Sequence, residues 1–141
     1  MGFQADVRAA AVTMLTNYAA NAGVRLQVYP ARPRSIAPPT AFVNGIRETI
    51  DYTGLRQRHP TADVVVIHGI FDSKEAADQK DAFVDGFLDW VWTNIHAAGA
   101  NTTIGAVETE DIPAYVPEWM PPEQQLIYYA TRVSLEGLAL D

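Results

Sequence analysis

The chain of 141 residues contains no cysteine. That excludes a disulfide scaffold, a thiol nucleophile and any thiolate metal site, and it suits a reducing compartment or a protein that passes through several environments. Histidine is scarce: His59, His68 and His96 are the whole set. No apolar run approaches the about 18 residues needed to span a bilayer. The first residues, MGFQADVRAAAVTML, lack the basic-then-apolar layout of a signal peptide, so no secretory leader is expected. They also lack myristoylation chemistry, because Asp6 stands where Ser or Thr is wanted. There is no Walker loop, glycine-rich phosphate cradle or basic helix, so nothing positive points to nucleic-acid binding.

What the chain does have is apolar content: 48% hydrophobic residues in a length typical of one domain, enough for a real core. Basic residues are the minority charge, 10 against 17 acidic, for a net of −7. Their distribution is uneven. Residues 1–59 carry seven basic and three acidic side chains, a net of +4, whereas residues 60–141 carry three basic and fourteen acidic, a net of −11. Opposite-signed halves either neutralise each other within one fold or attract a second copy head to tail, a contact that makes a ring if the rotation closes.

Residues 3–22 read as a helix, with Val7, Ala10, Ala11, Met14, Leu15, Tyr18 and Ala22 on one buried face and Gly23 as its stop. Residues 26–29 read as a short strand. PARPRSIAPP (30–39) has four prolines and two arginines and reads as an exposed, semi-rigid arm. Strands follow at 40–46 and 47–53, with Asn44-Gly45 as either a turn between them or a bulge in one longer strand. GLRQRHP (54–60) reads as a basic loop. ADVVVIHGI (62–70) is β-branched and apolar on both faces, hence a central strand. A helix over 73–97, a strand over 101–111, a proline-broken loop over 112–123 and an alternating strand over 125–138 complete the chain. The order predicts a single α+β domain: a mostly antiparallel sheet of four to six strands with two helices packed on one face.

The segment VVVIHGIFDSKEAADQKD places His68 and Asp72 where a strand meets a helix. Asp72 with Glu75 has capping-box spacing, and Ser73 is the alternative cap. A Ser73–His68–Asp72 triad is conceivable but has no nucleophile-elbow pattern. The stretch therefore reads as a buried strand entering a well-capped helix. On that helix Asp78, Asp81, Asp85 and Asp89 fall within roughly 80° of arc. The simplest reading of this stripe is a solvated face. The sharper one is a surface that repels polyanions. Ala77, Val84, Leu88, Val91 and Ile95 form the arc expected to meet the sheet, and Phe83, Phe87 and Trp90 widen it, which points to a second contact with the first helix or with another subunit. Tyr115, Trp119 and Met120 lie among the prolines of the 112–123 loop, either as a lid on the core or as apolar anchors for a partner. The arginines of the N-terminal part, Arg32, Arg34, Arg47, Arg56 and Arg58 among them, are better placed for partner contact than for phosphate.

Taken in order, the N-terminal helix, VYPARPRSIAPPTAFVNGI, RHPTADVVVIHGIFDSKEAADQKDAFVDGFLDWV and YVPEWMPPEQQLIYYATRVSLEG resemble the tail terminator (tail-completion) proteins of long, non-contractile-tailed bacteriophages. The resemblance covers most of the chain. It implies a homohexameric ring that caps the completed tail tube and joins it to the head-closure protein of the neck, with DNA passing through the lumen. It implies a virion protein assembled in the host cytoplasm, with no cofactor and no enzymatic activity. In such a ring the Asp78–Asp89 stripe is expected on the lumen, and the arginines and aromatics named above at contacts with neighbours or partners. The rival readings are another ring of the neck, a small hydrolase using His68 and Asp72, and a stand-alone binding module.

Overall fold

The chain starts with a helix because its apolar residues recur every three or four positions. The computed structural model describes residues 3–51, 57–71, 73–94 and 103–138. Helix α1 (Phe3–Ala22) buries Val7, Ala10, Ala11, Met14, Leu15 and Tyr18. Ala22, expected on that face, is exposed, and Ala19 is buried in its place. The helix ends in a Schellman motif: Gly23 takes φ 69°, its N–H donates to Ala20 O at 3.4 Å, and Val24 N–H donates to Ala19 O at 3.0 Å.

Among the described residues five strands follow: β1 (Gln27–Tyr29), β2 (Thr40–Asp51), β3 (Gln57–Ile70), β4 (Thr103–Tyr115) and β5 (Tyr128–Leu138), with helix α2 (Lys74–Asn94) between β3 and β4. The sheet order is β1-β2-β3-β5-β4. Among the described residues the β1–β2 pair is parallel and the β2–β3, β3–β5 and β4–β5 pairs are antiparallel. The α+β class, the mostly antiparallel sheet and the two helices on one face are as expected. The Asn44-Gly45 alternative resolves as a bulge, since the β2–β3 register shifts between Val43 and Gly45 within one continuous strand. The last strand begins at Tyr128 rather than at residue 125, and two other boundaries differ. Residues 57–60 belong to β3 rather than to a loop, and Ile112–Tyr115 continue β4. In both places ladder hydrogen bonds to a long neighbouring strand override local polarity and proline. No helix among the described residues is long and apolar enough to cross a membrane.

Val64–Ile67 of the central strand are apolar in succession because both faces of the sheet are covered there. Ala62, Val64 and Val66 point to the helix side, with Ala41, Val43, Val133 and Leu135 from neighbouring strands. Val65 and Ile67 point the other way, with Phe42, Tyr128 and Ala130. Neither α1 nor α2 packs on that second face. The proline segments cover it: Ile36 and Trp119 pack there, and Pro33, Pro117 and Met120 are buried. Trp119 meets Phe42 edge-on at 5.6 Å. Of the two readings of the 112–123 loop, the lid is the one this packing supports for Trp119 and Met120.

Helix α2 requires the clearest correction. Its core face is Ala76, Phe83, Phe87 and Val91, whereas Leu88 is 38% exposed and Ala77 and Val84 are only half-buried. The helix is turned so that its aromatics meet α1. Tyr18 makes edge-on contacts with Phe83 (5.6 Å), Phe87 (5.3 Å) and Trp90 (5.9 Å). Burying large rings and pairing them edge to face outweighs burying alanine and valine. Phe83, Phe87 and Trp90 therefore contact the first helix of their own chain, one of the two contacts expected of them; Phe83 and Phe87 are buried there and Trp90 is half-buried. Ile95 lies outside the described residues.

Candidate functional site

His68 sits at the exit of β3, just before the register shift at Gly69, and is 4% exposed. Its Nε2 lies 2.8 Å from the Thr131 hydroxyl on β5, and its ring tilts against Phe83 at 5.4 Å. Burial, reinforced by the nearby Lys80 ammonium and opposed by Asp111, lowers its pKa to about 4. The imidazole is thus neutral near pH 7. Gly69 sets how closely helix and sheet approach, because a Cβ there would fall 2.9 Å from Ala76 Cβ. Ser73 is the helix cap: its Oγ accepts the Ala76 N–H at 3.3 Å. Asp72, the other proposed cap and triad member, lies outside the described residues, as do Arg56 and His96. Among the described residues no group of three His, Asp or Glu side chains converges on a metal position.

Charge is arranged across the sheet rather than gathered in a cleft. At the β1 edge, Arg8 donates to the Pro30 carbonyl. Arg32 Nε donates to Asn44 Oδ1 at 2.9 Å, and its guanidinium lies 5.9 Å from the Trp119 ring centre. Arg25 and Arg34 are exposed there and have no ion pair among the described residues. Arg47 is less available. It forks onto Asp63 at 2.9 and 3.2 Å within its own chain. Arg58 lies on β3 opposite Ile50.

The opposite edge strand, β4, is acidic, and so is the outer arc of α2, which packs over β3 and β5. Asp78, Asp81, Asp85 and Asp89 are all exposed along α2, and Glu108, Glu110 and Asp111 are exposed on the edge strand β4. Lys80 ties the two groups together, reaching Asp81 at 2.5 Å and Asp111 at 3.2 Å. Those carboxylates raise the Lys80 pKa, Asp81 most of all, against an opposing burial effect. Glu110 meets Arg132 at 3.4 Å. The stripe thus has the exposure its spacing implied, but it carries one feature the sequence reading passed over. Trp92, 87% exposed, falls on the same arc of the helix between Asp81 and Asp89.

Two cavities flank His68. One, of about 500 Å³, opens between the end of α1 and the first half of α2 and is lined by Tyr18, Arg25, Leu26, His68, Gln79 and Phe83. The other, of about 520 Å³, lies between Pro38-Pro39 and the Gly69–Ala76 approach. Beside the second, Ile70, Phe71, Leu126 and Ile127 are exposed, with Phe71 N–H donating to Ile127 O at 2.9 Å. Nothing in composition marks these four, because a strand end and a loop become neighbours only through the β3–β5 register. No protein-family model matches the chain, and no curated protein matches it.

Proposed function

We propose that this chain is a structural subunit of a long, non-contractile phage tail, a tail terminator that forms a homohexameric ring on the finished tube and joins it to the head-closure protein. The observation that carries the reading is the charge polarity of the sheet. The segments flanking β1 carry Arg25, Arg32 and Arg34, and β4, the strand at the other end of the sheet, carries Glu108, Glu110 and Asp111. Opposite signs on opposite edges of one sheet favour a head-to-tail contact between copies and disfavour a two-fold one, where like would meet like. The resemblance along most of the chain supplies the tail context. The ring carries DNA through its lumen and works in the virion after assembly in the host cytoplasm, with no cofactor.

We assign the Asp78–Asp89 arc to contact between copies rather than to the lumen wall. Trp92 shares the arc, and a bare indole on a DNA channel offers bases a platform to stack on. The exposed end formed by Ile70, Phe71, Leu126 and Ile127 is left for the next protein along the tail axis.

Electron microscopy of the purified protein, alone and mixed with tail tubes, tests the proposal. Rings, and caps at tube ends, are expected. Localisation in the particle between neck rings, away from the tube end, replaces it with the neck-ring rival. His68→Ala particles that remain infectious but lose a hydrolytic turnover replace it with the enzyme.

A further inference from the structure

We propose that Trp92 of one copy inserts into the cavity bounded by Tyr18, His68 and Gln79 of a second copy, with Arg25 at the rim facing Asp85 and Asp89 beside the inserted indole. This deepens the ring reading and rests on its self-association alone, not on a place in a tail.

The first argument is the knob. Trp92 is 87% exposed, the most exposed large apolar side chain among the described residues, whereas Trp90 and Trp119 are half-buried. Tryptophan is the residue type most often found as a buried anchor at interfaces.

The second is the hole. The cavity has a volume of about 500 Å³, within the range that accepts a large side chain or small ligand, and its walls are mainly apolar, with Leu26, Val66 and Phe83 among them. Gln79, exposed on α2 at its wall, offers a side-chain carbonyl as acceptor for a buried indole Nε1–H.

The third is charge. Asp85 and Asp89 stand one and two turns before Trp92 on the same arc, exposed and without ion pairs among the described residues; Arg25 is exposed and unpaired at the cavity rim. Insertion brings these opposite charges together as it buries the ring.

Knob and hole lie on the same helix, with Gln79 and Trp92 about 20 Å apart along its axis. The two patches differ, so each copy donates one knob and receives another. Such contacts propagate until they close or run on as a filament.

Sedimentation velocity on the full chain tests the contact. Trp92→Ala removes the knob, and Ala82→Trp fills the hole; both positions are exposed, so both variants are expected to keep the wild-type circular dichroism spectrum. Each variant alone is expected to associate at least about 30-fold more weakly than wild type. An equimolar mixture retains one intact knob and one intact hole per pair, and it is expected to stop at a dimer. Arg25→Glu and Asp89→Arg each weaken assembly, and the double variant recovers it. Wild-type assembly that survives Trp92→Ala overturns this contact and leaves the ring reading standing. A mixture that forms no dimer overturns the knob-in-hole pairing. A wild-type chain that stays monomeric at every concentration overturns the contact and the self-association beneath it.

Discussion

The Tyr18 hydroxyl rests on the backbone of Gly86, so that any Cβ added at position 86 would overlap it. Helices α1 and α2 approach this closely only because position 86 has no side chain, and the Tyr18 ring cannot swing away because Phe83, Phe87 and Trp90 surround it. Gly86→Ala gains up to about 1 kcal/mol of helix propensity and loses about 1–3 kcal/mol to overpacking, for an expected net loss of about 1 kcal/mol. Tyr18→Phe removes the overlapping oxygen, so Gly86→Ala is expected to cost less in that background than in wild type. Urea denaturation of the four proteins measures the coupling.

His68 makes folding sensitive to mild acid. Its pKa is about 4 in the folded chain, against 6.5 for an unburied histidine. Between those values the unfolded chain binds the extra proton, so stability is full above about pH 6.5 and falls as pH drops toward 4, by up to about 3 kcal/mol. His68→Gln retains a hydrogen-bonding group for Thr131 without the titration. Its stability is expected to vary less than that of wild type across this window, as denaturation midpoints from pH 4 to 7 would show. An equal slope in both proteins would assign the acid sensitivity to carboxylates instead.

Ser73 holds the first turn of α2 through its bond from Ala76 N–H. Ser73→Ala is expected to cost about 1 kcal/mol, and Ser73→Asp to retain most of that stability, because an aspartate caps as well and its charge suits the helix N-terminus. Thermal unfolding of the two variants distinguishes a cap from a catalytic serine, which aspartate does not replace.

Assembly driven by the two edges is expected to weaken with salt, since exposed charges are screened beyond about 10 Å at 0.1 M. Arg34→Glu is expected to reduce association, and Glu108→Arg to reduce it likewise, with no change in monomer stability beyond about 0.5 kcal/mol. Light scattering at low and high salt measures both. Arg47→Ala is the control: its partner is Asp63 of the same chain, so its effect falls on the monomer.

Much of the fold was legible because it depends on local periodicity. Residues 3–22 show one three-four stripe, and 62–70 are apolar on both faces, so a helix and a central strand follow directly. The site was less legible. Spacing along α2 defined two adjacent apolar arcs but not which one turns inward, since that choice lies with Tyr18, more than sixty residues away. The same rotation set Phe83 and Phe87 against the first helix, one of the two contacts expected of them, and left Trp92 exposed beside the aspartates.

The sequence by itself determined the α+β class, the two helices, the central strand and the opposite signs of the two halves, because each is a property of short windows or of counting. Tertiary structure decided the rest: which face of α2 is buried, that the proline segments roof the second sheet face, and that the two signs lie on opposite edges. These follow from long-range strand order and ring packing, where the free energy comes from surfaces that no single segment presents alone.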